Sequence, residues 1–322
     1  MKKLSRIAII AGVLLMLIGL IWSGFNLGRI RDDIDNIGQK HYTPLQASYD
    51  AAPVHTISTD LGDVAVNIAT DAGSTHVTVD YFKTETEKFK VTDSNGTISV
   101  TRAGAEPNEF MCLFRCIGRP HTITIHVPAD SGYAYYLTAN NAPVSFKNNA
   151  KLQAQQIHVK SSNSTIFMGN IAAHGTITLR SDNGTIRLHD MAAEGTMTLN
   201  SSNGTNQLTR VTAPTIHATA DNGGDTLETV SAQNLNVHAS NATVTLHGLH
   251  ADHSIITSDN GSVEGSLAGP KSDYNIKVWS SNGSIRLNGV SSNGSYFSDN
   301  DNAPKSFSAT ASNGRVDLTF DT

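Results

Sequence analysis

Cysteine is nearly absent, at two in 322 residues, so no second pair exists to complete a thiolate metal site. Charge is thin as well. Lys, Arg, Asp and Glu make up 16% of the chain against the usual quarter, and the net charge of −5 excludes the basic surface that a nucleic-acid partner requires. No GxSxG, HExxH, Walker or GxGxxG pattern occurs, which excludes the common nucleophile-elbow, zinc-hydrolase and nucleotide-binding signatures. Proline is sparse, and helix-forming segments are scarce beyond the first thirty residues. What is plentiful is Asn, Ser, Thr and Gly, the mixture expected of many short strands joined by tight turns. With 39% hydrophobic residues, the chain can build a substantial core and is not disordered by composition.

The one long apolar run is at the start. Lys2, Lys3 and Arg6 precede an uncharged stretch from Ile7 to Leu27, which at about 1.5 Å rise per residue crosses a hydrocarbon core of roughly 30 Å. It exceeds the usual core of a cleaved signal peptide, and Phe25 and Leu27 stand where a cleavage site wants small residues, so an uncleaved anchor is expected. No cysteine follows it to carry a lipid. The basic residues before the span, against Arg29 and Arg31 diluted by Asp32, Asp33 and Asp35 beyond it, predict a single-pass cell-membrane protein. In that topology residues 1–6 are cytoplasmic, 7–27 span the membrane, 28–50 form a polar stalk and the bulk of the chain is extracytoplasmic.

The remainder repeats itself. Taking the turn asparagine as position zero aligns Asn95, Asn141, Asn163, Asn183, Asn203, Asn222, Asn241, Asn260, Asn282 and Asn313, with spacings of 20 or 19 residues from Asn163 to Asn260. Leu61 fills the same slot in a degenerate earlier copy. Three and five positions after zero the chain is apolar, as at Ile186 and Leu188, and six and four before zero it is apolar again, as at Ile177 and Leu179, with polar residues between. Such period-two alternation marks half-buried strands. A single copy of about twenty residues buries too little apolar surface to fold alone, so the copies must stack. The fold class expected is therefore all-β, a parallel β-solenoid of 19–20 residues per coil over residues 51–322, right-handed by the crossover rule. Asn-Gly between alternating hydrophobics is also the strongest hairpin signal. The fixed period favours the solenoid, since an antiparallel sandwich has no reason to keep it.

The corner residues carry their own pattern. Two before zero the chain is always small (Ser161, Ser181, Ser201, Ala220, Ala239, Ser258, Ser280, Ala311), as a crowded inward corner requires. Asn163, Asn183, Asn203, Asn222, Asn241, Asn260, Asn282 and Asn313 are expected to form a side-chain amide ladder along the axis, with Gly at plus one supplying positive φ. Just before zero, Asp182, Asp221 and Asp259 alternate with serines, which doubles the carboxylate spacing to about 10 Å. The Asn163-Ser164 and Asn241-Ala242 corners and the polar Asn206 and Asp225 in core slots depart from the pattern and predict looser middle rungs. Insertions at about 101–121 and 289–305 should leave the stack.

The N-terminal anchor, the segment ITIHVPADSGYAYYLTANNAPVSF and the serial SxNGxIxL units together resemble the bacterial "putative adhesin" β-strand-repeat family of extracytoplasmic domains that includes LiaG-like envelope proteins. The resemblance covers roughly residues 52–322. It implies a cell-envelope location, a solenoid-like fold and a part in envelope stress or surface contact, and it transfers no catalytic residues.

Candidate chemistry is sparse. Cys112 and Cys116, in FMCLFRCIG, either close a small disulfide loop or remain free thiols. The apolar Phe110, Met111, Leu113, Phe114 and Ile117 around them either lie on the solenoid flank or form a contact patch. His247, His250 and His253 have a metal-like spacing only on a helix, and on a strand-to-link segment they read as solvated histidines. Asp182, Asp221 and Asp259 would be the carboxylates of a polysaccharide lyase or hydrolase, at a separation at or beyond the upper limit for an inverting pair. The expected function is therefore a non-enzymatic, cofactor-free envelope solenoid of adhesin-like or stress-associated type. Its expected partners are the membrane and cell-wall polysaccharide, or an envelope or host surface protein. A polysaccharide-acting enzyme and an accessory protein of a membrane sensor are the alternatives.

Overall fold

The computed structural model describes residues 43–83, 88–103, 122–298 and 300–321. The expected anchor at 7–27 and the Cys112/Cys116 pair lie outside them. Among the described residues no helix is long and apolar enough to cross a membrane.

Equivalent slots of the repeat stack in register. On one face Val144, Ile166, Ile186, Asn206, Asp225, Val244 and Val263 are successive parallel partners. On the other, Tyr135, Ile157, Ile177, Met197, Ile216, Leu235 and Ser254 are. Inward residues of both faces join one continuous core, in which Ile166, Leu179, Ile186, Leu208 and Val237 are fully buried. The parallel files follow from the alternation: only direct superposition of like copies puts every apolar slot over another apolar slot.

The 19- and 20-residue rungs differ in their links. In the 20-residue rungs Gly175 and Gly195 break the chain between a strand of one face and a strand of the other (Ile166–Ala173 from Ile177–Ser181, and Ile186–Ala193 from Met197–Ser201). The 19-residue rungs lack that glycine, and Asn206–Ala220 and Val244–Ser258 run as uninterrupted 15-residue strands around the corner. Because Leu152–Ser161 and Asn206–Ala220 each pair on both faces, six strands form a closed hydrogen-bonded circuit, a flattened barrel within the stack.

Several expectations change. Thr43–Asp50, assigned to the stalk, is a strand antiparallel to His76–Lys83 along its whole length, so the folded unit starts before residue 51. Asn95-Gly96 is no rung: with φ of 48° and 72° it makes a tight hairpin between the antiparallel strands Lys88–Ser94 and Thr97–Ala103. The last two rungs are exchanged. Lys305–Ala311 inserts between Val244–Ser258 and Tyr274–Leu287, pairing parallel with both, so the rung of Asn313 lies beneath that of Asn282. The excursion at 289–305 makes this order reachable. After the hairpin turn at Asn288-Gly289, Val290–Phe297 runs antiparallel along the outside of Tyr274–Leu287 and covers the end of the stack. Antiparallel strands also close the opposite end, where Thr43–Asp50 and Lys88–Ser94 are outermost. At that end Pro44, Lys88 and Lys90 blunt edges that would otherwise accept further strands.

Candidate interaction surface

The asparagine corners form one chain of side-chain hydrogen bonds. The amide Nδ2 of Asn183 donates to Asn163 Oδ1 at 2.6 Å, Asn203 to Asn183 at 2.7 Å, Asn222 to Asn203 at 2.7 Å, Asn241 to Asn222 at 2.8 Å and Asn260 to Asn241 at 2.8 Å. At the far end Asn282 donates to Asn313 at 2.8 Å and Asn313 to Asn260 at 2.7 Å, which follows the exchanged rung order. At the near end Asn163 donates to Asn141 and Asn141 to the Asp63 carboxylate, both at 2.6 Å. Every amide points the same way, and the chain of dipoles terminates on an anion, the arrangement in which each bond polarises the next.

Glycine at plus one is needed for closeness rather than for φ. Of the glycines with positive φ, none is a ladder glycine. A Cβ on Gly184 would collide with the Ser164 carbonyl, on Gly204 with that of Gly184, and on Gly314 with that of Gly261. The same carbonyls take the inward corner serines: Ser181 Oγ donates to Ser164 O and Ser201 Oγ to Gly184 O, each at 3.0 Å, and Ser258 Oγ to Ala242 O at 2.9 Å. Ser181, Ser201 and Ser258 are thus both packed and bonded, whereas Ser161 Oγ is buried without a partner.

A second corner escaped the sequence reading. Seven residues after Asn163, Asn183, Asn203, Asn222 and Asn241 the backbone is left-handed, at Asn170, Asp190, Arg210 and Thr229 with φ from 52° to 57°, and at Gly248 with φ of 61°. Asn, Asp and Gly in such a column are the signal that could have revealed it; Arg210 and Thr229 obscure it. On this corner Arg210 Nε and Nη2 grip both oxygens of Asp190 at 2.6 and 2.9 Å. Hydrogen bonds from Arg210, then from His189, hold the Asp190 carboxyl down at about 2.

The outward columns make the broadest surface. Thr178, Thr198, His217 and Asn236 are successive partners in one column, and Arg180, Asn200, Thr219 and His238 in the next. Asp182, Asp221 and Asp259 occupy alternate rungs at the corner, with serine corners between them. Asp182 is engaged by Arg180 Nε at 2.9 Å, and Asp259 faces His238 at 3.9 Å. His247, His250 and His253 lie exposed along one strand, with the left-handed Gly248 corner between the first two, and His250 and His253 are three extended residues, about 10 Å, apart. Their partners across the ladder are Glu228, Ser231 and Asn234, and His253 Nδ1 lies 3.0 Å from Ser306 Oγ. Among the described residues no group of three His, Cys, Asp or Glu side chains could hold a metal.

The polar residues in the core slots pair with each other. Asn206 and Asp225 are both fully buried, and Asn206 Nδ2 donates to Asp225 Oδ1 at 2.7 Å and to Thr219 O at 3.0 Å. Burial raises the Asp225 pKa to about 7, with the Asn206 bond opposing the rise. Asn206 Oδ1 and Asp225 Oδ2 have no partner, and a protonated Asp225 can satisfy both by donating its Oδ2 proton to Asn206. These rungs are joined by a polar pair in slots that elsewhere hold apolar side chains.

A family model described as Toastrack DUF4097 matches residues 54–322. No curated protein matches the chain. A solved putative lipid binding protein from Parabacteroides distasonis is 8% identical with a TM-score of 0.43, over 87% of this chain and 97% of its own. A putative adhesin from Bacteroides fragilis is 11% identical with a TM-score of 0.35, over 87% and 97%. A putative cell adhesion protein from Clostridium sporogenes is 10% identical with a TM-score of 0.18, over 87% and 100%. At these scores the likenesses carry no argument about what this chain binds.

Proposed function

The chain belongs to the Toastrack DUF4097 family, and from that premise we propose that it is a membrane-tethered, extracytoplasmic display solenoid whose flat outward columns bind envelope polysaccharide without transforming it. The observation that carries the reading is the pair of adjacent columns from Thr178 to Asn236 and from Arg180 to His238, which place at least one hydroxyl, amide or imidazole group on every rung. With rungs about 4.8 Å apart, such a face offers alternating donors and acceptors on a rigid lattice. Its weak charge fits a neutral polyol chain better than a polyanion. The tether rests on the apolar run at 7–27 behind Lys2, Lys3 and Arg6. The non-catalytic reading rests on Asp182, Asp221 and Asp259 standing on alternate rungs, too far apart to share a substrate atom, with Asp182 already engaged by Arg180.

Co-sedimentation of the full chain, in mild detergent, with purified cell-wall polysaccharide tests this. Retention is expected, and Thr198→Glu with His217→Glu should lower it at least tenfold. Release of new reducing ends or unsaturated products that disappears in Asp182→Asn or Asp221→Asn would instead make the protein a polysaccharide-acting enzyme. Retention only by a protease-sensitive envelope fraction would move the partner to a surface protein.

A further inference from the structure

Three described strands pair on one side only: Thr43–Asp50, Lys88–Ser94 and Val290–Phe297. The first two carry features that discourage pairing by a further chain. Thr43–Asp50 contains Pro44 and ends on Asp50, and Lys88–Ser94 contains Lys88, Lys90 and Asp93. Val290–Phe297, VSSNGSYF, has neither proline nor charge. An uncharged edge of eight residues is the kind that proteins otherwise suppress, because its free N–H and C=O groups template another strand.

Apolar exposure gathers at the same place. Val290 is 71% exposed, Phe297 55% and Trp279 54%, three of the five exposed large hydrophobic side chains among the described residues. Val290 lies opposite Leu287 and Tyr296 opposite Val278, both buried, so Val290 and Tyr296 continue the inward files of the core one step past its end. The core is cut open at this cap rather than sealed.

We propose that Val290–Phe297 pairs with the same strand of a second copy of this chain, joining two solenoids end to end about a twofold axis through Asn293. In an antiparallel twofold pair, residues facing each other share the same side of the sheet. Because inward and outward residues alternate, the register must centre on a residue rather than between two. Centring on Asn293 puts Val290 against Tyr296 of the partner subunit, which closes the apolar files of both copies, and puts Ser291 against the partner's Ser295 on the solvent side. The strand bends at Gly294, which has φ of 74° and no partner in the ladder, between Asn293 opposite Ser284 and Ser295 opposite Trp279. The bend lies one residue from the proposed axis, so the bends of the two copies fall within two residues of each other, which a straight strand from an unrelated partner would not match.

The test uses the full chain in a mild detergent, with mass measured by light scattering after size exclusion. A dimer is expected for the native chain and for Ile255→Lys, an exposed site on the flank of the stack. Val290→Lys places a charge on the inward side of the edge, is accommodated by the exposed site in the monomer, and should weaken the dimer at least tenfold. Asn293→Cys, with Cys112 and Cys116 replaced by serine, should crosslink to itself under mild oxidation, while Ile255→Cys in the same background should not. A native chain that stays monomeric at high concentration, a dimer indifferent to Val290→Lys, or an Asn293→Cys variant that fails to crosslink would each overturn the proposal.

Discussion

Replacing Asp225 by asparagine should flatten the pH dependence of unfolding. Asp225 is fully buried among apolar files, and its pKa is raised to about 7 by that burial. The unfolded aspartate titrates near ~3.9. With the folded pKa above the unfolded one, the folded state keeps a proton that the unfolded chain releases between those two values. The stabilisation is therefore complete below about pH 4 and is lost as the pH rises through about 7. Three units at about 1.4 kcal/mol each give on the order of 4 kcal/mol across that window. At ~2–4 °C per kcal/mol for a domain of this size class, the melting temperature should fall by roughly 8–16 °C.

Asparagine cannot ionise, yet its amide can still accept from Asn206 Nδ2 and donate to Asn206 Oδ1, so the pair survives. Thermal and urea unfolding followed by circular dichroism at pH 4, 5, 6, 7 and 8 measure the effect. Taking the difference between native and variant chains removes the contributions of other carboxylates and of the histidines. The two should be of similar stability at acid pH, and the variant more stable at pH 8. Parallel curves over the whole range would show that Asp225 is ionised inside the fold and would refute the reasoning.

Thr229, exposed and left-handed at φ of 53°, should gain about 1 kcal/mol in unfolding free energy on Thr229→Asn, since this conformation costs a branched residue ~1–2 kcal/mol. Gly204→Ala drives a Cβ against the Gly184 carbonyl and should lose about 1–3 kcal/mol in urea titrations as an overpacked site, whereas Ala242→Gly in the same column should change far less. Asn203→Leu removes two ladder bonds and Asn282→Leu one, so at ~0.5–1.5 kcal/mol per bond the first should cost about twice the second; equal losses would mean the ladder adds nothing beyond the corner shape.

Which parts of this were legible from sequence follows from how local each cause is. The apolar slots at Ile186 and Leu188 and their copies announce themselves by alternation, and the stacked pairing follows because nothing else buries them. The link glycines Gly175 and Gly195 are equally local and mark strand breaks in the 20-residue rungs, whereas the break at Thr229 in a 19-residue rung has no such signal. The exchange of the final rungs is not local. The rungs of Asn282 and Asn313 share the same Ser-Asn-Gly corner, which does not by itself fix their order in the stack. Likewise Asp225 looks like a defect until Asn206 is found one rung away in the same file. The outward columns were visible as polar positions, but their chemistry is too uniform to name a ligand, and so the site was less legible than the fold.

The two fates of Asn-Gly show what selects between a hairpin and a rung. At the ladder corners the residue two before the asparagine is buried to within 2% (Ser161, Ser181, Ser201, Ala220, Ala239, Ser258, Ser280, Ala311), in a slot where only a small side chain fits beneath the neighbouring rung. At Asn95 that residue is Asp93 and at Asn288 it is Arg286, both exposed. A charge of that size cannot enter the inward corner without losing its hydration unpaired. The chain therefore folds back on itself there, with positive φ at both turn residues, and pairs Ser94 with Thr97 and Leu287 with Val290. Asn293, with Ser291 in the deciding position, sits in the capping strand with antiparallel pairing, so a small residue is necessary for a rung and not sufficient. What completes the requirement is a parallel neighbour whose turn backbone packs against the small corner residue, and the end of the stack is the place where that neighbour runs out.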